Sequence, residues 1–213
     1  MKEPNEFVDA ETGAEMNDDT VSSKKDYRRQ RIKKYFLEAV KEIIKKEGVE
    51  NVTVRKVADM AGYTYPTLYH YFADLNALLW EVKEAMILEL IEILRLEMQP
   101  TKHGIDGIKE SFRTYIAYYF RNPNVFKFFY FHSLNRPTEG AGTEPDYGAM
   151  WDDTFREMVV AGKLRTEEIE VVAKTIIYAI HGMITISFSN NGDLTEANVY
   201  RDLEKILNYL LDK

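Results

Sequence analysis

Apolar residues recur along most of this chain at intervals of three and four positions, the period of one helix face. Ile32, Phe36, Val40 and Ile43/Ile44 outline a first helix, which Glu47-Gly48 ends. Gly48 tolerates the left-handed geometry of a helix stop. Thr53 is placed to cap a short helix reaching Met60 or Ala61, and Thr64 to cap another reaching Phe72. Asp74 then caps a long helix to about Met98, stopped by Pro100. Ile105, Ile108, Phe112, Tyr115, Tyr119 and Phe120 mark a further helix that ends near Asn122-Pro123. A short aromatic helix follows over 125–134, then a Pro/Gly/Thr-rich loop over 136–146 and a helix over 147–161. Two long helices, 166–189 and 195–212, close the pattern. No sustained alternation of strand type and no internal repeat occurs, so the expectation is an all-α protein of about nine helices.

Composition narrows the class. Of 213 residues, 45% are hydrophobic and 30% charged, which predicts a packed core rather than general disorder. Cysteine is absent, excluding disulfides and thiolate metal sites and fitting a reducing cytoplasm. The opening residues show no basic-then-apolar leader pattern, and the apolar stretch 176–188 is interrupted by His181 and Gly182 and too short to span a bilayer. The expectation is a soluble, cytoplasmic protein with no membrane partner.

Net charge is −7, which argues at first against a nucleic-acid partner, but the charge is unevenly spread. Residues 1–23 carry one lysine and seven acids, while residues 24–80 carry twelve Lys/Arg against seven Asp/Glu. Residues 81–213 are acidic again, with fifteen basic and twenty-one acidic side chains. A basic module between acidic flanks is the distribution expected when one end of a protein meets phosphate. The first segment has almost no apolar periodicity and reads as a disordered acidic tail.

Residues 53–72 carry the most specific signal. Two short helices that cross closely need a small residue at the crossing, and Ala58 supplies it. A sharp turn between them needs positive φ, and Gly62 supplies that. Val57, Ala61, Tyr63, Leu68 and Tyr71 are spaced to close a small core. Pro66 falls in the first turn of the second helix, where its missing N–H does no harm. Thr64, Tyr65 and Thr67 then point outward from the helix end that, in a helix-turn-helix, enters the major groove.

These residues also carry a family resemblance. The run from Arg31 to about Val82 resembles the DNA-binding domain of the TetR family of bacterial regulators. The match is carried by Thr53-Val54-Arg55-Lys56-Val57-Ala58, then Ala61-Gly62, then Thr67-Leu68-Tyr69-His70-Tyr71-Phe72. The resemblance implies a helix-turn-helix domain over 24–73 and a helical ligand-binding and dimerisation domain over 74–213, with the last two helices forming a homodimer. Carried over by position, Thr64, Tyr65 and Thr67 face bases, and Tyr69 and His70 reach phosphates. Thr53 and Arg55 clamp the DNA backbone, and Lys24, Lys25, Arg28 and Arg29 extend as a basic arm. Tyr71 and Phe72 are read as core aromatics. One departure stands out: the family usually has lysine at the start of the fourth helix, and this chain has Leu75.

The second half is rich in aromatics beyond what helix packing demands, which suits an apolar or aromatic small molecule held by a few hydrogen bonds. Tyr115, Tyr119, Phe129, His132, Trp151, Phe155 and His181 are the expected ligand contacts, with a dry, bulky core as the alternative. Small residues Ala173, Ala179, Gly182 and Ser187 lie among Ile169, Val172, Ile176, Ile180, Met183 and Ile184. Val199, Leu203, Ile206, Leu207, Leu210 and Leu211 form a second stripe. Together the stripes predict a four-helix dimer interface, although a monomer would use the same residues for its own core.

Enzymatic chemistry has no foothold in the sequence. The four histidines, His70, His103, His132 and His181, make no metal-spaced set, and no glycine-rich phosphate loop or nucleophile motif occurs. Neither metal nor cofactor is expected. The expected function is a DNA-binding regulator, specifically a repressor releasing a palindromic operator on effector binding. The rival is a protein of the same fold that acts through a protein partner.

Overall fold

A computed structural model of the chain describes residues 18–97, 103–136, 147–189 and 193–212. The helices are α1 (Asp18–Glu47), α2 (Val54–Ala61), α3 (Tyr65–Leu68), α4 (Leu75–Glu97) and α5 (Gly104–Arg121). They continue with α6 (Pro123–Phe131), α7 (Tyr147–Val160), α8 (Ile169–Phe188) and α9 (Glu196–Leu211). Nine helices and no strand among the described residues match the all-α expectation.

Local chemistry sets most of the boundaries. The Thr53 hydroxyl accepts from the Lys56 amide and opens α2. Gly62, at φ 76° and ψ 29°, closes it: Tyr63 N–H donates to Ala58 C=O at 2.9 Å and Gly62 N–H to Asp59 C=O at 3.2 Å. This crossed pair of bonds is the Schellman arrangement, which requires a left-handed residue. Asp74 accepts from Ala77 N–H at 2.7 Å and opens α4.

Three elements differ from expectation. α1 begins at Asp18, inside the segment 1–23 read as a disordered tail. Adding a turn to an existing helix costs little compared with nucleating a new one, so the good formers of 24–34 carry it backward. Residues 1–17 lie outside the described residues, as do 137–146 of the expected loop and the segment around Pro100.

α3 ends at Leu68 rather than Phe72, and the Leu68 carbonyl accepts from both Tyr71 and Phe72 amides. Tyr71 and Phe72 both pack on Phe36, with ring centroids 5.9 and 6.2 Å away. Adjacent residues on a continuous helix diverge by about 100° and would not share one partner, so the helix gives way. Thr64 also makes no side-chain cap; its hydroxyl pairs with Thr67 Oγ1 at 2.9 Å. α6 stops at Phe131, short of 134.

The small head formed by α2, α3 and the preceding part of α1 closes on Phe36, Val57 and Leu68, all fully buried. α1 continues from this head along the body, packing on α4 and α6. Lys33 bridges to Glu81 of α4 at 2.7 Å, and the buried Lys41 bonds Glu38 at 3.0 Å and Glu89 of α4. Burial alone would push Lys41 down, but its hydrogen bonds to Glu89 and Glu38 prevail and hold it above the ordinary lysine value. In the body, α5 packs against α4, α6, α7, α8 and α9.

Part of the two stripes expected to form a dimer interface builds the protomer's own core. Ile169, Ala173, Ile176, Ile180 and Ile184 of α8 are buried, as are Val199, Leu203, Leu207 and Leu211 of α9. The reason is that α8 is apolar around most of its circumference, so periodicity alone does not choose a face. Among its non-polar and aromatic residues α8 leaves Val171, Tyr178, Gly182 and Ile186 outside, and α9 leaves Tyr209. The segment Thr166–Phe188, longer than the stretch 176–188, is by length and composition alone long and apolar enough to cross a membrane.

Candidate nucleic-acid interface and sensing cluster

The head presents the expected contact residues on its surface. Thr53, Arg55, Thr64, Tyr65, Tyr69 and His70 are exposed, and Thr67 is half-buried and bonded to Thr64. Tyr65 and Tyr69 are each about half exposed although large and aromatic, which the head's own packing does not require. Tyr71 is half-buried on Phe36 and Phe72 is buried, as expected of core aromatics.

Lys24, Lys25, Arg28 and Arg29 are exposed, but they belong to the continuous α1 rather than to a free arm. Arg29 lies over the Tyr71 ring at 5.7 Å, which places this stretch of α1 beside α3. Arg31, Lys34 and Tyr35 extend the exposed set, and Tyr35 lies 6.3 Å from Tyr63 of the turn. The bare count of basic residues over 24–34 hinted at these positions without assigning them. Lys56 is spent on Glu47 at 2.5 Å. Leu75 packs against the hydrophobic core, so the departure from the usual lysine exchanges a surface charge for an anchor at the start of α4.

The body gathers a second set of residues where α5, α6 and α8 meet. Tyr115 Oη lies 2.7 Å from His181 Nε2 and 3.1 Å from Tyr130 Oη, and Tyr119 Oη lies 3.2 Å from Tyr130 Oη. The Tyr130 ring sits 4.3 Å from the His181 ring, and Phe126 flanks both. Burial pushes His181 down to about 4, so its imidazole is neutral at ordinary pH. Burial first, and then the neighbouring phenols, raise Tyr119 well above 10.

The structure brings together only part of the expected ligand set. Tyr115, Tyr119 and His181 converge, with Phe129 edge-on to Tyr119 at 6.4 Å. His132 packs instead on Phe128, and Phe155 is fully buried against Phe112, 6.5 Å away in a separate part of the core. The Trp151 side chain lies outside the described residues. Tyr130, at the centre of the cluster and 45% exposed, was missed. Its place in a dense aromatic run was the available signal, but the run could not tell it from Phe128 or Phe131.

α6 and the segment that follows it are each tied to α4 once. Lys83 Nζ donates to the Phe129 carbonyl at 3.0 Å, and burial lowers the Lys83 pKa. Asn76 Nδ2 donates to Asn135 C=O at 2.7 Å while Asn135 N–H donates back to Asn76 Oδ1 at 3.0 Å.

The family model described as bacterial regulatory proteins, tetR family, matches residues 36–82, the stretch that holds α2, α3 and the start of α4. Among solved structures, the chain is similar to a TetR family transcription regulator from Marinobacter aquaeolei VT8, at 17% identity and TM-score 0.59, covering 88% of this chain and 100% of that one. It is similar to RolR in complex with resorcinol, at 14% identity and TM-score 0.58, covering 88% and 98%. It is also similar to the transcriptional regulator FadR from Bacillus subtilis in complex with stearoyl-CoA, at 15% identity and TM-score 0.61, covering 83% and 96%. At such identities the likeness speaks for the fold. No curated protein matches the chain. Residues 36–82 thus match the model of the tetR family of bacterial regulatory proteins, and the helices around them share the fold of solved TetR family regulators.

Proposed function

We propose that the chain is a cytoplasmic, homodimeric repressor that holds a palindromic operator and releases it when a small apolar or aromatic molecule binds its helical body. The observation that carries the DNA half of this reading is the exposed pair Tyr65 and Tyr69, set among Thr53, Arg55, Thr64 and His70 on a head whose core is otherwise closed. In the complex, α3 lies in the major groove with Thr64, Tyr65 and Thr67 toward the bases, and the exposed basic side chains of α1 meet phosphate. Two heads are needed for two half-sites one helical turn apart. The uncovered face of α8 with Tyr209 is the surface through which we pair the protomers.

The proposed release works through α6. A molecule entering between α5, α6 and α8 displaces α6, and the ties from α6 to Lys83 and from the segment after it to Asn76 pass the movement to α4. Because α4 follows directly after the head, its movement alters head separation. A preference of about 3–5 kcal/mol for the displaced state empties the operator. That RolR and FadR carry small molecules in their own complexes supports a ligand role for this body.

The test is nuclease footprinting of a palindrome near the protein's own gene, repeated across salt concentrations. Wild type protects it, with affinity falling steeply as salt rises. The double variant Tyr65→Ala/Tyr69→Ala, folded by circular dichroism, loses protection. Undiminished protection by that variant, or affinity insensitive to salt, overturns the reading.

A further inference from the structure

We infer that the operator half-site is read mainly through thymine methyl groups, so that A·T pairs lie where Thr64, Tyr65 and Thr67 meet the bases. The inference rests on the DNA-binding reading above and deepens it to a class of sequence.

What the recognition segment lacks is as informative as what it holds. From Met60 to Ala73 the chain carries no Arg, Lys, Asn, Gln, Asp or Glu. Those six types make the main hydrogen bonds that identify bases in the major groove: Arg or Lys to guanine, Asn or Gln to adenine, Asp or Glu to cytosine. The lysines and arginines of the head sit on α1 and α2, where phosphate is their proposed partner. Lys56 is already bound to Glu47. His70 carries its two ring nitrogens on different edges, so it offers a base one bond and no fork.

Rings and methyl groups take the place of forks. Tyr65 is 53% exposed, and Pro66 beside it is exposed as well. The hydroxyls of Thr64 and Thr67 pair with each other at 2.9 Å, which commits one of their two protons inside the protein. A surface of this kind has little hydrogen-bonding capacity to spend on base edges.

The major groove has one apolar feature to match it, the thymine C5-methyl group. Set against G·C, the rings would cover guanine O6 and N7 and the cytosine amino group without bonding them, and stripping water from such groups is costly. Against A·T they cover a methyl group, and a tyrosine or threonine hydroxyl can serve thymine O4 or adenine N7. The balance selects thymine.

The experiment starts with selection of sites for the full-length protein from a random duplex library. The enriched half-sites should be rich in A·T pairs. Duplexes of the selected sequence are then made with uracil in place of single thymines, which deletes the methyl group and leaves base pairing intact. Affinity should fall about fourfold at each contacted thymine, the worth of one buried methylene. Replacing such a T·A pair by C·G should cost more, and 5-methylcytosine at the same position should recover about fourfold.

The protein arm uses Thr64→Ser, Thr67→Ser and Tyr65→Ala. In at least one of them the ratio of thymine to uracil affinity at one position should fall to about one. The serine variants keep both hydroxyls, so they report even where the alanine variant no longer binds. Half-sites dominated by G·C pairs, uracil duplexes bound as tightly as thymine ones, or a thymine preference kept by every variant overturns the inference and leaves the DNA-binding reading standing. A library from which no sequence is enriched overturns both.

Discussion

Replacing Gly62 by alanine isolates the conformational cost of the turn between α2 and α3. The backbone there sits at φ 76° and ψ 29°, and a methyl group added to it meets nothing within 4 Å. The substitution therefore creates no clash and deletes no contact. What remains is the preference of an L-residue against the left-handed region, about 1–2 kcal/mol. Against this, alanine stiffens the unfolded chain and returns about 0.4–1 kcal/mol. The net expectation is a destabilisation of about 1 kcal/mol, with Gly62→Asn costing distinctly less because asparagine tolerates this region.

Gly162 provides the control, since it has φ 69° and equally open space but lies in the body. Both alanine variants should lower the urea midpoint by similar amounts. Hydrogen exchange should differ: amides of α2 and α3 that exchange by local opening should quicken about fivefold in Gly62→Ala and stay unchanged in Gly162→Ala. Wild-type stability in Gly62→Ala, or an asparagine variant as destabilised as the alanine one, would refute the argument from backbone conformation.

Two further outcomes follow from the body. On the proposed pairing through α8, wild type should sediment as a dimer and Tyr178→Glu combined with Ile186→Glu as a monomer with its melting profile retained, because both side chains are exposed in the protomer; a monomeric wild type or an unchanged dimer would refute that pairing. The folded state resists protonating His181 until about pH 4, whereas the unfolded chain takes that proton near 6.5. This contribution to stability is thus complete above pH 6.5 and declines as pH falls from 6.5 toward 4. In urea melts over that range, His181→Leu should show a flatter decline, and a variant slope equal to wild type would contradict the neutral, buried imidazole.

The caps at Thr53, Gly62 and Asp74 were the most legible features because their causes are local. Thr53, Gly62 and Asp74 act within four residues of themselves, and each does in the structure what its sequence position implies. α3 was overextended because the event that shortens it, two adjacent aromatics turning onto Phe36, depends on a residue more than thirty positions earlier. The tyrosine–histidine cluster was half legible for the same reason. Tyr115, Tyr119 and His181 are among the expected contacts, but only the crossing of α6 and α8 selects Tyr130 over His132 and Phe155. For α8, an apolar surface on nearly every side made its buried and exposed faces indistinguishable until its neighbours were placed.

α1 has a consequence for engineering. At 30 residues and about 1.5 Å per residue it is a strut of about 45 Å, shared by the reading head and the body with no joint between them. Its Lys33 and Lys41 grip α4, and its Lys45 carbonyl receives Asn124 of α6. A chimaera that grafts these recognition helices onto a foreign body by cutting after Phe72 would set those groups against an unmatched surface. The seam has to run through α1 instead, between the turns that face α2 and those that face α4, or the α4 face must travel with the graft.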